Sequence, residues 1–219
     1  MKNLTELVFI IDKSGSMSGL ESDTIGGFNS LIKKQKKEEG DALVSVVFFN
    51  DNQDVVLDRV DINKVKELTE EDYVCMSCTA LLDAVGDSIK HIRNIHKYAR
   101  KEDIPEKTVF VIMTDGLENA SEKYRYHDVK RLIERAKEES NWEFLFLGAN
   151  IDAIGEAKNL GIEEDYAVEF CCDEEGIELN YEAVSDAVKM MRCCDEKLNS
   201  DWKRNIEKDL KNRKDNIKR

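Results

Sequence analysis

Two kinds of apolar pattern alternate along the chain and predict alternating strands and helices. Short apolar runs, rich in β-branched and aromatic residues, predict strands at 4–12, 42–49, 55–60, 108–114, 143–147 and 166–170. Apolar residues spaced three and four positions apart predict helices at 22–39, 80–95, 127–138 and 153–159. The runs at 4–12 and 108–114 are almost continuously apolar, which is typical of parallel strands covered on both faces.

This alternation predicts an α/β fold with three layers, in which helices cover both faces of a doubly wound, mostly parallel, Rossmann-like sheet. The turn Asn50-Asp51 joins the runs 42–49 and 55–60, so these two strands should form an antiparallel hairpin at one edge of the sheet. We expect this α/β domain to occupy residues 1–175.

A charged helical extension is predicted over residues 176–219, either packing on the domain or projecting from it. Its apolar residues from Val184 to Leu210 recur at helical spacing. Such a stripe suits a short coiled-coil seam, but it covers barely three heptads and places Asp195 in the seam. We therefore favour packing of the stripe on the chain's own domain.

Composition and charge narrow the class of protein. The 219 residues allow one or two domains, and no apolar run approaches the twenty or so residues of a membrane span. The net charge of -13 argues against nucleic acid as a partner, although residues 196–219 alone carry nine basic and five acidic residues. The N-terminal residues lack the features of a signal peptide, which predicts a cytoplasmic protein without membrane attachment.

Six cysteines occur, at positions 75, 78, 171, 172, 193 and 194. In a chain of this length without a signal peptide, they are expected to be reduced thiols rather than a disulfide framework. Only one CxxC pair is present, so a zinc site is not predicted.

Oxygen-bearing side chains follow two of the predicted parallel strands and precede a helix. Asp12, Ser14 and Ser16 come directly after the first strand, Asp115 follows the strand at 108–114, and Thr79 precedes the helix at 80. Ligands bind at the carboxyl ends of strands in such sheets. Carboxylate and hydroxyl oxygens are hard ligands that suit Mg²⁺, with Mn²⁺ as the second candidate.

Together, Asp12-x-Ser14-x-Ser16, Thr79 at the start of Thr79-Ala-Leu-Leu-Asp83, and Thr114-Asp115-Gly116 resemble the metal-ion-dependent adhesion site of von Willebrand factor type A domains. The resemblance covers residues 4–170. The segment 144–152 is similar to stand-alone, intracellular proteins of this family from bacteria. Relatives often have glycine at the position of Cys78.

The resemblance implies a role for each of these residues. Ser14 and Ser16 would bind the metal directly, Thr79 would bind it when a ligand is engaged, and Asp12 and Asp115 would act directly or through water. The sixth coordination position would take an Asp or Glu carboxylate of a partner protein, and an AAA+ ATPase is one class of partner that the family implies. The implied function is that of a non-enzymatic adaptor.

Two other functions remain open at this stage. A phosphatase of the haloacid dehalogenase type also places an aspartate after its first strand, but it needs a second acid two positions later, where this chain has Ser14. The second alternative is a scaffold that binds its partner through the C-terminal helix, in which the metal would have only a structural role. Neither Glu118 nor Asn119 is assigned a role beyond the rim of the site, and Asp83 is expected either behind the metal ligands or at the start of its helix.

Overall fold

The computed structural model describes residues 4–193 and 197–217. It contains six strands, β1 Thr5–Asp12, β2 Ala42–Phe49, β3 Gln53–Asp61, β4 Lys107–Thr114, β5 Glu143–Ala149 and β6 Ala167–Phe170. Six α-helices accompany them, α1 Glu21–Gln35, α2 Leu81–Tyr98, α3 Tyr126–Ser140, α4 Ala153–Asn159, α5 Glu174–Cys193 and α6 Arg204–Ile217.

The strands form one sheet in the order β3-β2-β1-β4-β5-β6. All neighbours are parallel except β2 and β3, which form the antiparallel edge hairpin that the sequence predicts. The predicted α/β fold is therefore confirmed. Its parallel central strands bring the carboxyl ends of β1 and β4 side by side, because Ile11 pairs with Met113.

Two apolar cores cover the two faces of the sheet. Alternate residues of the central strands enter opposite cores: Phe9 lies with α1 and α5 on one face, and Ile10 lies with α2 and α3 on the other. Phe9 meets Phe28 of α1 edge to face, with ring centroids 5.3 Å apart. The continuous apolar runs in the sequence are thus explained by burial on both sides.

The C-terminal segment folds back onto the domain as two helices. The predicted helical extension is present and consists of two helices, because a 3-10 turn, Ser200–Lys203, precedes α6. Leu198, Trp202 and Ile206 are buried in the same core as α5. The predicted seam position Asp195 and the cysteine Cys194 lie outside the described residues.

The edge strand β6 is covered by this segment. Trp202 Nε1 donates to the carbonyl of Asp165 (2.8 Å), and Lys203 Nζ donates to the carbonyls of Glu164 (2.7 Å) and Ala167 (2.8 Å). An uncovered sheet edge invites pairing with other chains, so this cover protects the fold. The boundary predicted between the domain and the extension, at residue 175, lies inside α5, which begins at Glu174. This boundary stays a prediction.

No helix within the described ranges combines the length and the apolar character needed to cross a membrane.

Candidate metal centre

The site begins where β1 ends. Asp12 is completely buried, and its Oδ1 accepts a hydrogen bond from the Ser14 N–H (2.7 Å) while its Oδ2 accepts one from Thr114 Oγ1 (2.6 Å). The hydroxyl of Tyr73 donates to the Asp12 carbonyl. Both oxygens of the carboxylate are thus fixed in direction by the two strand ends.

The two serines and the second aspartate form a connected chain of oxygens. Ser14 Oγ lies 3.1 Å from Ser16 Oγ, and Ser16 Oγ donates to Asp115 Oδ1 (2.7 Å). Ser14 and Asp115 are buried, whereas Ser16 is exposed. The cluster therefore opens to solvent on the side of Ser16.

Thr79 reaches the same place from the loop before α2. A side-chain carbon at Gly116 would lie 3.2 Å from Thr79 Oγ1 and 3.8 Å from Ser16 Oγ, so both hydroxyls border this glycine. A larger residue at 116 would crowd the Thr79 hydroxyl. The structure thus brings all five predicted site residues to one edge of the sheet; that they bind a metal stays a prediction.

The electrostatics of the cluster favour a cation. Burial raises the pKa of the Asp12 carboxyl to about 6, with the nearby charge of Asp115 adding to the rise. Burial also raises the pKa of Asp115. Burial thus makes the ionised form of both carboxylates costly, and a bound divalent ion would offset this cost by stabilising the ionised form.

The donor set suits a hard divalent ion. Within 4–193 and 197–217 there is no group of three or more His, Cys, Asp or Glu side chains able to hold a metal. The cluster at the end of β1 instead offers two carboxylates and three hydroxyls, an all-oxygen set that fits Mg²⁺ or Mn²⁺. The thiol Cys172 Sγ lies 3.7 Å from Asp115 Oδ2, and burial raises its pKa to about 12.

Several residues that hold the site in place carry no role in the sequence interpretation. Asn119 Oδ1 accepts from the Thr79 N–H (2.9 Å), and the Asn119 N–H donates back to the Thr79 carbonyl (3.0 Å). Asn119 therefore positions Thr79 rather than only lining the rim. Thr114 belongs to the motif Thr114-Asp115-Gly116 quoted above, and its role here is to donate a hydrogen bond to Asp12 Oδ2.

Hydrogen bonds between carboxylates and backbone N–H groups join the start of α2 to the loop after β4. Glu118 Oε2 accepts from the Leu82 N–H (2.9 Å), and the Asp83 carboxylate accepts from the N–H groups of Glu122, Lys123 and Tyr124. Asp83 thus organises the loop behind the site.

The five cysteines in the described part of the chain are free thiols.

Comparison with known proteins identifies the family. The family model of the von Willebrand factor type A domain matches residues 6–171, about three quarters of the chain. The chain belongs to this family. No curated protein sequence matches it.

Solved structures share the fold of this type A domain at low identity. A von Willebrand factor type A protein from Catenulispora acidiphila superposes with a TM-score of 0.59 at 14% identity, over 84% of this chain and 42% of its own. Proximal thread matrix protein 1 from the mussel byssus, with a zinc-occupied adhesion-site motif, gives 0.57 at 16% identity, over 84% and 46%. Manganese-loaded TRAP protein of Plasmodium vivax gives 0.55 at 15% identity, over 81% and 72%.

The type A domain described here spans less than half of the first two of these proteins, so the likeness concerns the fold of the domain.

Proposed function

We propose that this type A domain binds a partner protein through a divalent cation held by Asp12, Ser14, Ser16, Thr79 and Asp115. The observation that carries the proposal is the pair of buried carboxylates, Asp12 and Asp115, joined to three hydroxyls at an edge that opens to solvent. An Asp or Glu side chain of the partner would complete the coordination.

The chemistry of the donor set explains why a carboxylate would be bound. Two carboxylates balance the charge of a divalent ion, and uncharged hydroxyls leave it able to attract a further anion. The buried part of the site lowers the local dielectric constant, which strengthens such a bond. We propose Mg²⁺ as the ion, with Mn²⁺ as the alternative; the zinc and manganese named for two proteins of similar fold support a divalent ion in general.

A binding role is favoured over catalysis. A haloacid dehalogenase-type phosphatase needs an acid at the position of Ser14, whose side chain here contacts Ser16 and cannot act as a general acid. The sequence also lacks the GxxxxGK[ST] loop of nucleotide hydrolases. We therefore propose a non-enzymatic module.

The alternative of a scaffold acting through the C-terminal helix finds less support. Leu198, Trp202 and Ile206 are buried against the domain, so these positions of the apolar stripe are not available to a partner. The basic residue Arg213 is likewise engaged by Asp173 and Glu175 next to it.

We further propose that the protein is a cytoplasmic adaptor of the stand-alone bacterial type, and that its partner belongs to a larger assembly such as an AAA+ ATPase. The resemblance of residues 144–152 to such proteins supports this assignment.

Capture from a lysate of cells that express the protein tests the proposal. Tagged wild type in Mg²⁺ is compared with wild type in EDTA and with Thr79→Ala in Mg²⁺. We expect at least one protein to be captured only by wild type in Mg²⁺. Capture that ignores both EDTA and the substitution would contradict recognition through the metal.

A further inference from the structure

Exposed apolar side chains are concentrated around the candidate metal centre. Among the described residues six large apolar side chains are exposed, and three of them stand on two loops next to the site: Val74 (50% exposed), Met76 (55%) and Leu117 (56%). Single exposed apolar residues are common on protein surfaces, but their grouping around one site is typical of a binding surface.

The loop before Thr79 fixes Val74 and Met76 with their side chains outward. Tyr73 is buried and donates its hydroxyl hydrogen bond to the Asp12 carbonyl, and Cys75 packs against the core. Val74, between them, and Met76, after Cys75, therefore face solvent. The Met76 N–H donates to the Lys13 carbonyl (2.9 Å). Met76 is thereby held against the loop that carries Ser14 and Ser16.

The loop after β4 presents Leu117 on the other side of the site. Leu117 follows Gly116, which borders Thr79 Oγ1 and Ser16 Oγ. The hydrogen bonds between Asn119 and the backbone of Thr79 hold this loop in place. Apolar side chains therefore stand on both loops that border the Thr79 hydroxyl, and they are anchored to the same backbone as the predicted ligands.

The charges around the site disfavour a strongly acidic partner. A wide depression beside Cys78 is lined by carboxylates and by a single basic residue; its charged side chains are Asp51, Asp83, Asp87, Glu122 and Lys123. Lys123 is already paired with Asp87. The excess of negative charge would repel a run of Asp and Glu residues.

We propose, on the basis of the proposed function, that the partner presents a single Asp or Glu between apolar side chains, and that Val74, Met76 and Leu117 cover those apolar neighbours. The carboxylate would supply metal-dependent binding, and the apolar contacts would select the partner. An acidic tract would bind less well than one carboxylate in an apolar setting.

A displayed peptide library tests this specificity directly. Ten-residue peptides with a fixed central Glu and random flanks are panned on the full chain in Mg²⁺ and eluted with EDTA, and the eluted sequences are counted. The same library is panned on Met76→Ser/Leu117→Ser and on a matched control, Tyr98→Ser/Met190→Ser, which removes two exposed apolar side chains elsewhere. Selected peptides are then synthesised with Glu or Gln at the centre for affinity measurements.

We expect enrichment of Leu, Ile, Met and Phe beside the Glu, with Asp and Glu depleted there. The Met76→Ser/Leu117→Ser variant should bind the selected peptides about tenfold more weakly but should bind Mg²⁺ as tightly as wild type. The control variant should bind the peptides as tightly as wild type. Flanks without apolar preference, or selected peptides that bind the variant as tightly, would overturn the inference. If no peptide depends on Mg²⁺ or on the central Glu, the proposed function itself fails.

Discussion

Replacing Asp12 by asparagine should stabilise the metal-free protein and abolish its response to magnesium. Asp12 is completely buried, and burial raises the pKa of its carboxyl from 3.8 to about 6. Because one pKa unit corresponds to about 1.4 kcal/mol, the ionised carboxylate lowers the free energy of unfolding of the metal-free protein by about 3 kcal/mol above pH 6. Asparagine has no charge and escapes this penalty.

The hydrogen bonds around Asp12 can be kept in the variant. The amide oxygen can accept from the Ser14 N–H as Oδ1 does now, and the amide NH₂ can donate to Thr114 Oγ1. The Thr114 hydroxyl can then donate to the Gly116 carbonyl, 3.1 Å away. We therefore expect the variant to gain about 1–3 kcal/mol in EDTA at pH 7.5, or roughly 3–10 °C in Tm for a domain of this size.

The gain should depend on pH in a defined direction. The pKa of Asp12 is higher in the folded state than in the unfolded chain, so the folded state binds more protons between about pH 4 and pH 6. The wild type consequently loses stability as the pH rises through this window, and the Asp12→Asn variant does not. The difference between them should be largest above pH 6 and should fade toward pH 4.

Urea unfolding in EDTA and in excess Mg²⁺ measures both effects. At a concentration 100 times its Kd, Mg²⁺ should stabilise the wild type by about 2.7 kcal/mol and the variant by much less. Asp186→Asn, an exposed carboxylate on α5, serves as the matched control and should change neither value. A variant that is less stable than wild type in EDTA at pH 7.5, or that gains as much from Mg²⁺, would refute the reasoning.

Three further substitutions test the surroundings of the site and the fold. Asn119→Ala removes the acceptor for the Thr79 N–H and should weaken Mg²⁺ binding about tenfold in calorimetric titration. Gly27→Ala would place a carbon 2.2 Å from Tyr181 Cδ2 and should lower the free energy of unfolding by about 1–3 kcal/mol without changing metal affinity. Trp202→Ala opens a cavity where α6 joins the domain and should cost about 3–5 kcal/mol in urea unfolding.

Each of these expectations has a clear opposite. An Mg²⁺ affinity unchanged in Asn119→Ala would mean that Thr79 is positioned without it or is not a ligand. Wild-type stability in Gly27→Ala would show that α1 and α5 separate easily, and wild-type stability in Trp202→Ala would remove the C-terminal segment from the cooperative fold.

The sheet could be predicted from the sequence because strands that are buried on both faces need continuous runs of apolar residues. Residues 7–11 and 108–114 contain no charged residue, and the turn at Asn50-Asp51 marks the antiparallel edge. The ends of helices were less predictable. α1 ends at Gln35 rather than at residue 39, since residues 36–39 are all charged and add no apolar side chain to the buried face of the helix.

That the predicted metal ligands lie close together could be foreseen, because the carboxyl ends of parallel strands meet at one edge of the sheet. The residues that position them depend on loop conformation, which the spacing of residues does not contain. Asn119 and Thr79 are 40 residues apart, Tyr73 and Asp12 are 61 apart, and Cys172 and Asp115 are 57 apart. The break between α5 and α6 is not visible in the sequence, because Leu198 and Trp202 continue the helical spacing of α5 and are buried in the same core.

Titration with Mn²⁺, followed by the electron paramagnetic resonance signal of the free ion, tests the central claim most directly. The wild type should remove one Mn²⁺ per chain from solution, Mg²⁺ should displace it, and Ser14→Ala/Ser16→Ala should bind it at least about tenfold more weakly while keeping the wild-type circular dichroism spectrum. A wild type that leaves Mn²⁺ free, or a double variant that binds it as tightly, would contradict a metal centre built from these residues.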